Sequence, residues 1–199
     1  DLRVLETPLA QIVLHHNDRE RRPITDIHVS EARYGEEEGR FVAVNSYDDC
    51  LRVYDRGTQI LNAESETFSL HQCLRGHQNQ NWPIKSSFYR GADYKCPQFL
   101  DESQQSLHEE EDLVHQPFIT TESGSLRNAL LLATGSADGS CYVYDVGGPR
   151  GTGKLLQVLH GHGARVYSVA FHPAEPILAS CGCDGTVAIW SPSKTRSRT

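Results

Sequence analysis

The chain has 199 residues, of which 38% are hydrophobic and 23% charged, and its net charge is -7. That length allows one domain with a real core, while no apolar run approaches the ~20 residues that a membrane-spanning helix needs. The acidic balance argues against a broad nucleic-acid surface, which wants Lys and Arg in excess, and no basic–apolar–small pattern reads as a signal peptide.

In chain order, residues 2–14 read as a strand, followed by His15-His16 and a short basic patch at Arg19, Arg21 and Arg22. The paired histidines are a poor metal site on their own, and the arginines fit a solvated turn. A first unit spans residues 24–55. Its apolar run at 41–44 leads into a turn at Asp48-Asp49 and then a strand ending at Tyr54-Asp55. The three consecutive Glu near residue 36 read as a loop. Leu74-Arg75-Gly76-His77 opens a second unit.

This second unit is interrupted at 91–127 by an insertion rich in Glu and Gln, with Glu109-Glu110-Glu111 at its centre. Low hydrophobicity and clustered charge predict a long loop there, either a tether or an acidic docking segment. The unit resumes with the apolar run 130–133, the turn at Asp138-Gly139 and a strand over 140–145. Asp-Gly between apolar runs is a strong hairpin signal.

Residues 148–154 then spell G-P-R-G-T-G-K. This fits the phosphate-cradling pattern G-x-x-x-x-G-K, but that pattern needs Ser or Thr next and then a helix. Leu155 follows instead, and 155–159 reads as a strand, so a Gly-rich hairpin loop is expected and nucleotide chemistry is not. His160-Gly161-His162 opens a third unit, with a strand at 166–171, an apolar run at 177–179, a turn at Asp184-Gly185 and a strand ending in Trp190. Residues 192–199 read as a frayed polar tail.

The three units align without gaps over S-Y-D-D-C-L-R-V-Y-D (46–55), S-A-D-G-S-C-Y-V-Y-D (136–145) and G-C-D-G-T-V-A-I-W-S (182–191), each with an Asp six residues before an aromatic. Together with the Gly-His marks at 76–77 and 161–162, these residues resemble the WD-repeat family. The match is close over 155–191 and 130–145, and looser over 24–55, where no Gly-His stands and Asp49 replaces the turn Gly. The resemblance implies an all-β fold of about three four-stranded antiparallel propeller blades. Their expected bounds are 24–76, 77–161 and 162–191, with 1–23 finishing a preceding blade. Propellers typically have 4–8 blades, and the chain holds no Met, so a larger ring is expected around these residues.

It further implies that a hydrogen-bonded network locks each blade. In the last unit its members are His162, Ser180, Asp184 and Trp190, and in the middle unit His77, Thr134, Asp138 and Tyr144. Tyr144 in place of Trp alters the second set, and Val44 leaves the first unit without the hydroxyl. Family contact positions map onto Tyr47, Trp82, Arg165 and Tyr167 as partner-binding candidates. These are the residue types that dominate interfaces, although aromatics at strand starts also serve plain cores.

The expected role is that of a protein-interaction scaffold or adaptor in a multiprotein complex, in the cytoplasm or nucleus. Its partners are other proteins, without direct nucleic-acid contact, membrane insertion, metal, cofactor or catalysis. A structural component of a large particle or the cytoskeleton is the rival, and an enzyme using 148–154 ranks behind both. The Trp-Asp-x-Arg box of ubiquitin-ligase receptors is not matched, since Tyr54-Asp55-Arg56 lacks the spacer. The six cysteines form no C-x-x-C pair. Cys50, Cys141, Cys181 and Cys183 are expected as small core residues of a reducing compartment.

Overall fold

The computed structural model describes residues 22–31, 39–56, 69–89 and 130–192. Among these residues there are strands and turns but no helix. Strands β1 (Ile24–Val29), β2 (Phe41–Ser46), β3 (Cys50–Asp55) and β4 (Ser69–Leu74) form the first sheet. The second holds β5 (Ser86–Phe88), β6 (Leu131–Thr134), β7 (Ser140–Asp145) and β8 (Lys154–His160). Three described strands, β9 (Val166–Phe171), β10 (Leu178–Gly182) and β11 (Val187–Trp190), form the third. Every sheet is an antiparallel meander in which consecutive strands pair, so the expected all-β architecture of propeller blades stands.

The hairpin turns explain the registers. Gly139 and Gly185 sit at φ of 87° and 75°, where a Cβ is strained, and Asp49 takes the same place at φ 56°. An Asp tolerates this left-handed region better than most residues, which is why Asp48-Asp49 turns the chain as Asp-Gly does. The turn fixes Ser46 opposite Cys50 and places the 41–46 and 50–55 strands face to face.

Between sheets, the first strands lie side by side. The Ser86 amide and hydroxyl both donate to Asp26 Oδ2, at 2.7 and 3.2 Å, and the Lys85 amide donates to Tyr167 O at 2.8 Å. Further out, apolar side chains fill both seams. Phe41, Leu51, Val53 and Leu74 of the first sheet meet Phe88, Leu130, Leu132 and Tyr144 of the second. Ala133 and Cys141 meet Val166, Val169 and Leu178 of the third. Burying each such large aliphatic or aromatic side chain contributes about 1.5–3 kcal/mol, so the sheets hold one another rather than standing alone.

Two expectations need adjusting. Cys50 and Cys141 are buried, but Cys181 is half-buried and Cys183 is exposed in the β10–β11 turn, so only the first two behave as core residues. Several readings lie outside the described residues: the strand at 2–14, His15-His16, Arg19 and Arg21, the insertion 91–127, Cys96, and the tail beyond Pro192. No described helix is long and apolar enough to cross a membrane.

Candidate functional site

In all three hairpins the turn Asp caps its own turn. Asp48, Asp138 and Asp184 each accept the amide N–H two residues on, from Cys50, Ser140 and Thr186. What differs is the group that takes the other carboxylate oxygen, and the residue four positions after the Asp decides it. That residue lies on the strand leaving the turn. In the first sheet it is Arg52, whose guanidinium forks onto Asp48. In the second it is Tyr142, whose hydroxyl donates to Asp138 Oδ2 at 2.7 Å. In the third it is Ala188, which has nothing to offer, and His162 fills the vacancy with Nδ1 at 2.9 Å from Asp184 Oδ2.

The third sheet therefore assembles the full four-residue set. His162 Nε2 lies 2.8 Å from Ser180 Oγ, and Trp190 Nε1 donates to the same Oγ at 2.8 Å. The hydrogens follow from the acceptors. Asp184 can only accept, so Nδ1 carries the imidazole proton. Nε2 is then an acceptor, so the Ser180 hydroxyl donates to it while accepting from the indole. The chain Trp190 → Ser180 → His162 → Asp184 is satisfied at every link. The Thr186 amide and hydroxyl, then His162 and the Gly163 amide, hold the Asp184 carboxyl far below the usual carboxylate range.

The second sheet does not assemble its expected set. With Asp138 engaged by Tyr142, His77 turns to the first sheet, its Nε2 donating to Asn45 Oδ1 at 3.3 Å. Asn45 Nδ2 in turn donates to Thr134 Oγ1 at 3.0 Å, and Asn79 Nδ2 donates to Asn45 Oδ1 at 3.3 Å. Tyr144 is too short to reach Thr134 as a Trp would, and its hydroxyl donates to Arg75 O at 3.0 Å. His77 is 1% exposed, and burial pushes its imidazole down to about 4, against the pull of Asp49 and Asp138. Burial also works against the Asp138 carboxylate, but the bonds from Tyr142 and Ser140 outweigh it and keep it below its usual range.

In the first sheet Tyr54 is buried against Val44 and Val42, and Asp48 belongs to Arg52. Burial alone would raise the Asp48 carboxyl; its bonds to Arg52 and Ser46 hold it at about 2.

The Gly-rich loop is occupied by protein. Gln72 of β4 donates through Nε2 to Pro149 O at 2.8 Å and Gly148 O at 3.3 Å, and its Oε1 accepts the Gly153 amide at 2.7 Å. The amide that a phosphate would want is thus spent on an inter-sheet clasp, and Lys154 begins β8 rather than a helix. Among the described residues, no group of three or more His, Cys, Asp or Glu could hold a metal ion.

Three of the four partner-binding candidates form one cluster. The Arg165 guanidinium lies 4.0 Å from the centroid of the Trp82 ring, and Trp82 and Tyr167 rings are 6.0 Å apart. Trp82 remains 37% exposed. It projects from the β4–β5 loop, where Gln80 and Asn81 sit at φ of 46° and 61°. Consecutive non-glycine residues in the left-handed region are uncommon and concentrate at functional loops. Tyr47 lies apart, half-buried in the β2–β3 turn, with its amide donating to Pro23 O at 3.2 Å.

The family described as WD domain, G-beta repeat matches residues 118–145 and 153–191. The chain carries repeats of the WD-repeat β-propeller family. Curated relatives match over short stretches. A probable cytosolic iron-sulfur protein assembly protein Ciao1 from Anopheles gambiae is 50% identical over 42 residues, 21% of this chain and 12% of that protein. Human striatin-4 is 54% identical over 41 residues, 21% of this chain and 5% of that protein. Mouse pre-mRNA-processing factor 19 is 38% identical over 64 residues, 32% of this chain and 12% of that protein. The chain therefore spans a small fraction of these relatives. Among solved structures, the Cps50 (Swd1) β-propeller domain of Myceliophteria thermophila overlays with a TM-score of 0.50 at 17% identity, covering 85% of this chain and 41% of that one. That likeness concerns the propeller fold.

Proposed function

We propose that this WD-repeat chain is a scaffold or adaptor in a multiprotein complex, and that it binds partner proteins through the Trp82–Arg165–Tyr167 cluster. Each sheet serves as one blade (24–76, 77–161 and 162–191), and the polar networks keep the blades rigid enough to present the cluster. The observation that carries the reading is Trp82: a large indole, partly exposed, held against a guanidinium on a loop with left-handed residues. Trp, Tyr and Arg supply most of the binding energy at protein interfaces, and here they come from two different blades, so the surface exists only in the folded array. The names of the relatives, an assembly protein in the cytosol and a pre-mRNA-processing factor, suit a subunit of a complex in the cytoplasm or nucleus.

The test is affinity purification of the chain, with quantitative mass spectrometry, against Trp82→Ala with Arg165→Ala. Retained proteins should fall ~10-fold or more, the loss expected when two hot-spot residues go. Leu155→Ala, on the outer strand β8 and 41% exposed, should leave them in place. A partner set indifferent to the double substitution would remove the cluster from the interface.

A further inference from the structure

Strands β3 and β4 carry a feature that partner binding leaves unused. Arg52 stands opposite Cys73 in the ladder, so Cys50, two residues back along β3, shares their face one step along the diagonal. Both sulfurs are free thiols; Cys50 is buried and Cys73 exposed. The two thiols are near enough to perturb one another. Arg52 and Arg75 flank them, with Asp48 behind Arg52 and neutralised by it. The sheet order puts β4 at the edge, so among the described strands none of its sheet lies beyond Cys73.

We infer that Cys73 and Cys50 are a peroxide-reactive pair, in which the Cys73 sulfur attacks hydrogen peroxide and Cys50 resolves the product as a disulfide joining β3 to β4. In the first step an S–O bond forms at Cys73 as the O–O bond breaks, and the displaced hydroxide leaves as water with the proton that Cys73 gave up. In the second, the Cys50 sulfur attacks Cys73, the S–S bond forms, the S–O bond breaks, and the hydroxyl departs with the Cys50 proton as a second water. Two thiols are oxidised and one peroxide is reduced.

The electrostatics assign the roles. The Cys50 thiol, then Arg52 and Arg75, bring the Cys73 thiol down to about 6 against burial and the repulsion of Asp48. The Cys73 thiol, burial and Asp48 push the Cys50 thiol up, so it keeps its proton and waits. The thiolate is the nucleophile in such chemistry. Susceptibility follows thiolate character and exposure, and redox-sensing cysteines are often poised beside a resolving thiol. A disulfide needs an S–S distance of about 2.05 Å, which two thiols on one face of neighbouring strands reach by closing along the diagonal.

The experiment treats the 199-residue chain with equimolar hydrogen peroxide at neutral pH, blocks remaining thiols and maps peptides without reduction. A crosslinked peptide joining Cys50 to Cys73 is expected. Cys73 should lose its free thiol a few-fold faster than Cys183, which is also exposed and serves as the internal control; the factor is modest because a more acidic thiolate is also a weaker nucleophile. Cys50→Ser should halt the reaction at a Cys73 sulfenic acid that dimedone traps. In urea the preference for Cys73 should vanish. The inference is overturned if Cys183 reacts as fast as Cys73, if Cys73 pairs with another sulfur, if its sulfenic acid accumulates while Cys50 remains, or if the preference survives unfolding.

Discussion

Removing Ser180 should unlock the third sheet. Its hydroxyl is buried, accepts the Trp190 indole N–H and donates to His162 Nε2, each at 2.8 Å. Ser180→Ala leaves an acceptor and a donor unpaired. An unsatisfied buried group costs about 1–3 kcal/mol, and the half-buried indole can recover some water, so about 2 kcal/mol is expected for this change. His162→Ala should be similar, about 2–3 kcal/mol, because its side chain is only 1% exposed and its loss also leaves a cavity. The double variant should fall short of the sum by about 1 kcal/mol, since the bond between the two residues can be lost only once. Amide hydrogen exchange in β10 and β11 is the suitable assay, because it reports local opening where a global melt averages over sheets. Additivity within about 0.3 kcal/mol would show that the bonds are not energetically coupled, and the network would then be a set of independent contacts.

Acid should act through His77. Folding holds it neutral down to about 4 from an ordinary 6.5, so the unfolded chain binds the proton first, and stability is lost as pH falls from about 6.5 to 4. The window is worth up to about 3 kcal/mol for this buried group, and denaturation curves across that range should flatten in His77→Gln. Gln72→Ala should release the clasp, costing about 1–3 kcal/mol and raising hydrogen exchange at the Gly153 amide. Gly153→Ala should disturb the same place, because a Cβ there would lie 2.6 Å from Leu74 Cδ2. Lys154→Ala should leave ATP retention by the purified chain unchanged; tight binding that this change abolishes would mean the loop can shed Gln72 and accept phosphate.

The meander order and the hairpin turns were legible because they depend on local chemistry: an Asp two residues before the amide it caps, and a left-handed residue after it. Bringing His162, Ser180, Asp184 and Trp190 together needed only the repeat pattern, since all four lie in one unit. The middle set could not be read that way. Its outcome turns on Tyr142 competing for Asp138, and on Asn45, which arrives from the neighbouring sheet 89 residues before Thr134. Competition at the fourth residue after the Asp was a visible signal, as Arg52, Tyr142 and Ala188 differ plainly in what they can donate. Nothing in the spacing announced Asn45, Asn79 or Gln72, because side-chain amides that cross between sheets leave no period in the sequence.

The handover from Asp138 to Asn45 bears on how these units could be moved. The third unit carries its own lock, so it can be excised and spliced into another array with its polar chemistry intact. The second unit borrows from the one before it: transplanted alone, it would arrive with a buried imidazole lacking its acceptor and a Thr134 hydroxyl lacking its donor. Recombination of such repeats should therefore respect pairs, with the first two units travelling together, and a duplication that split them would yield a sheet of the right shape that does not close.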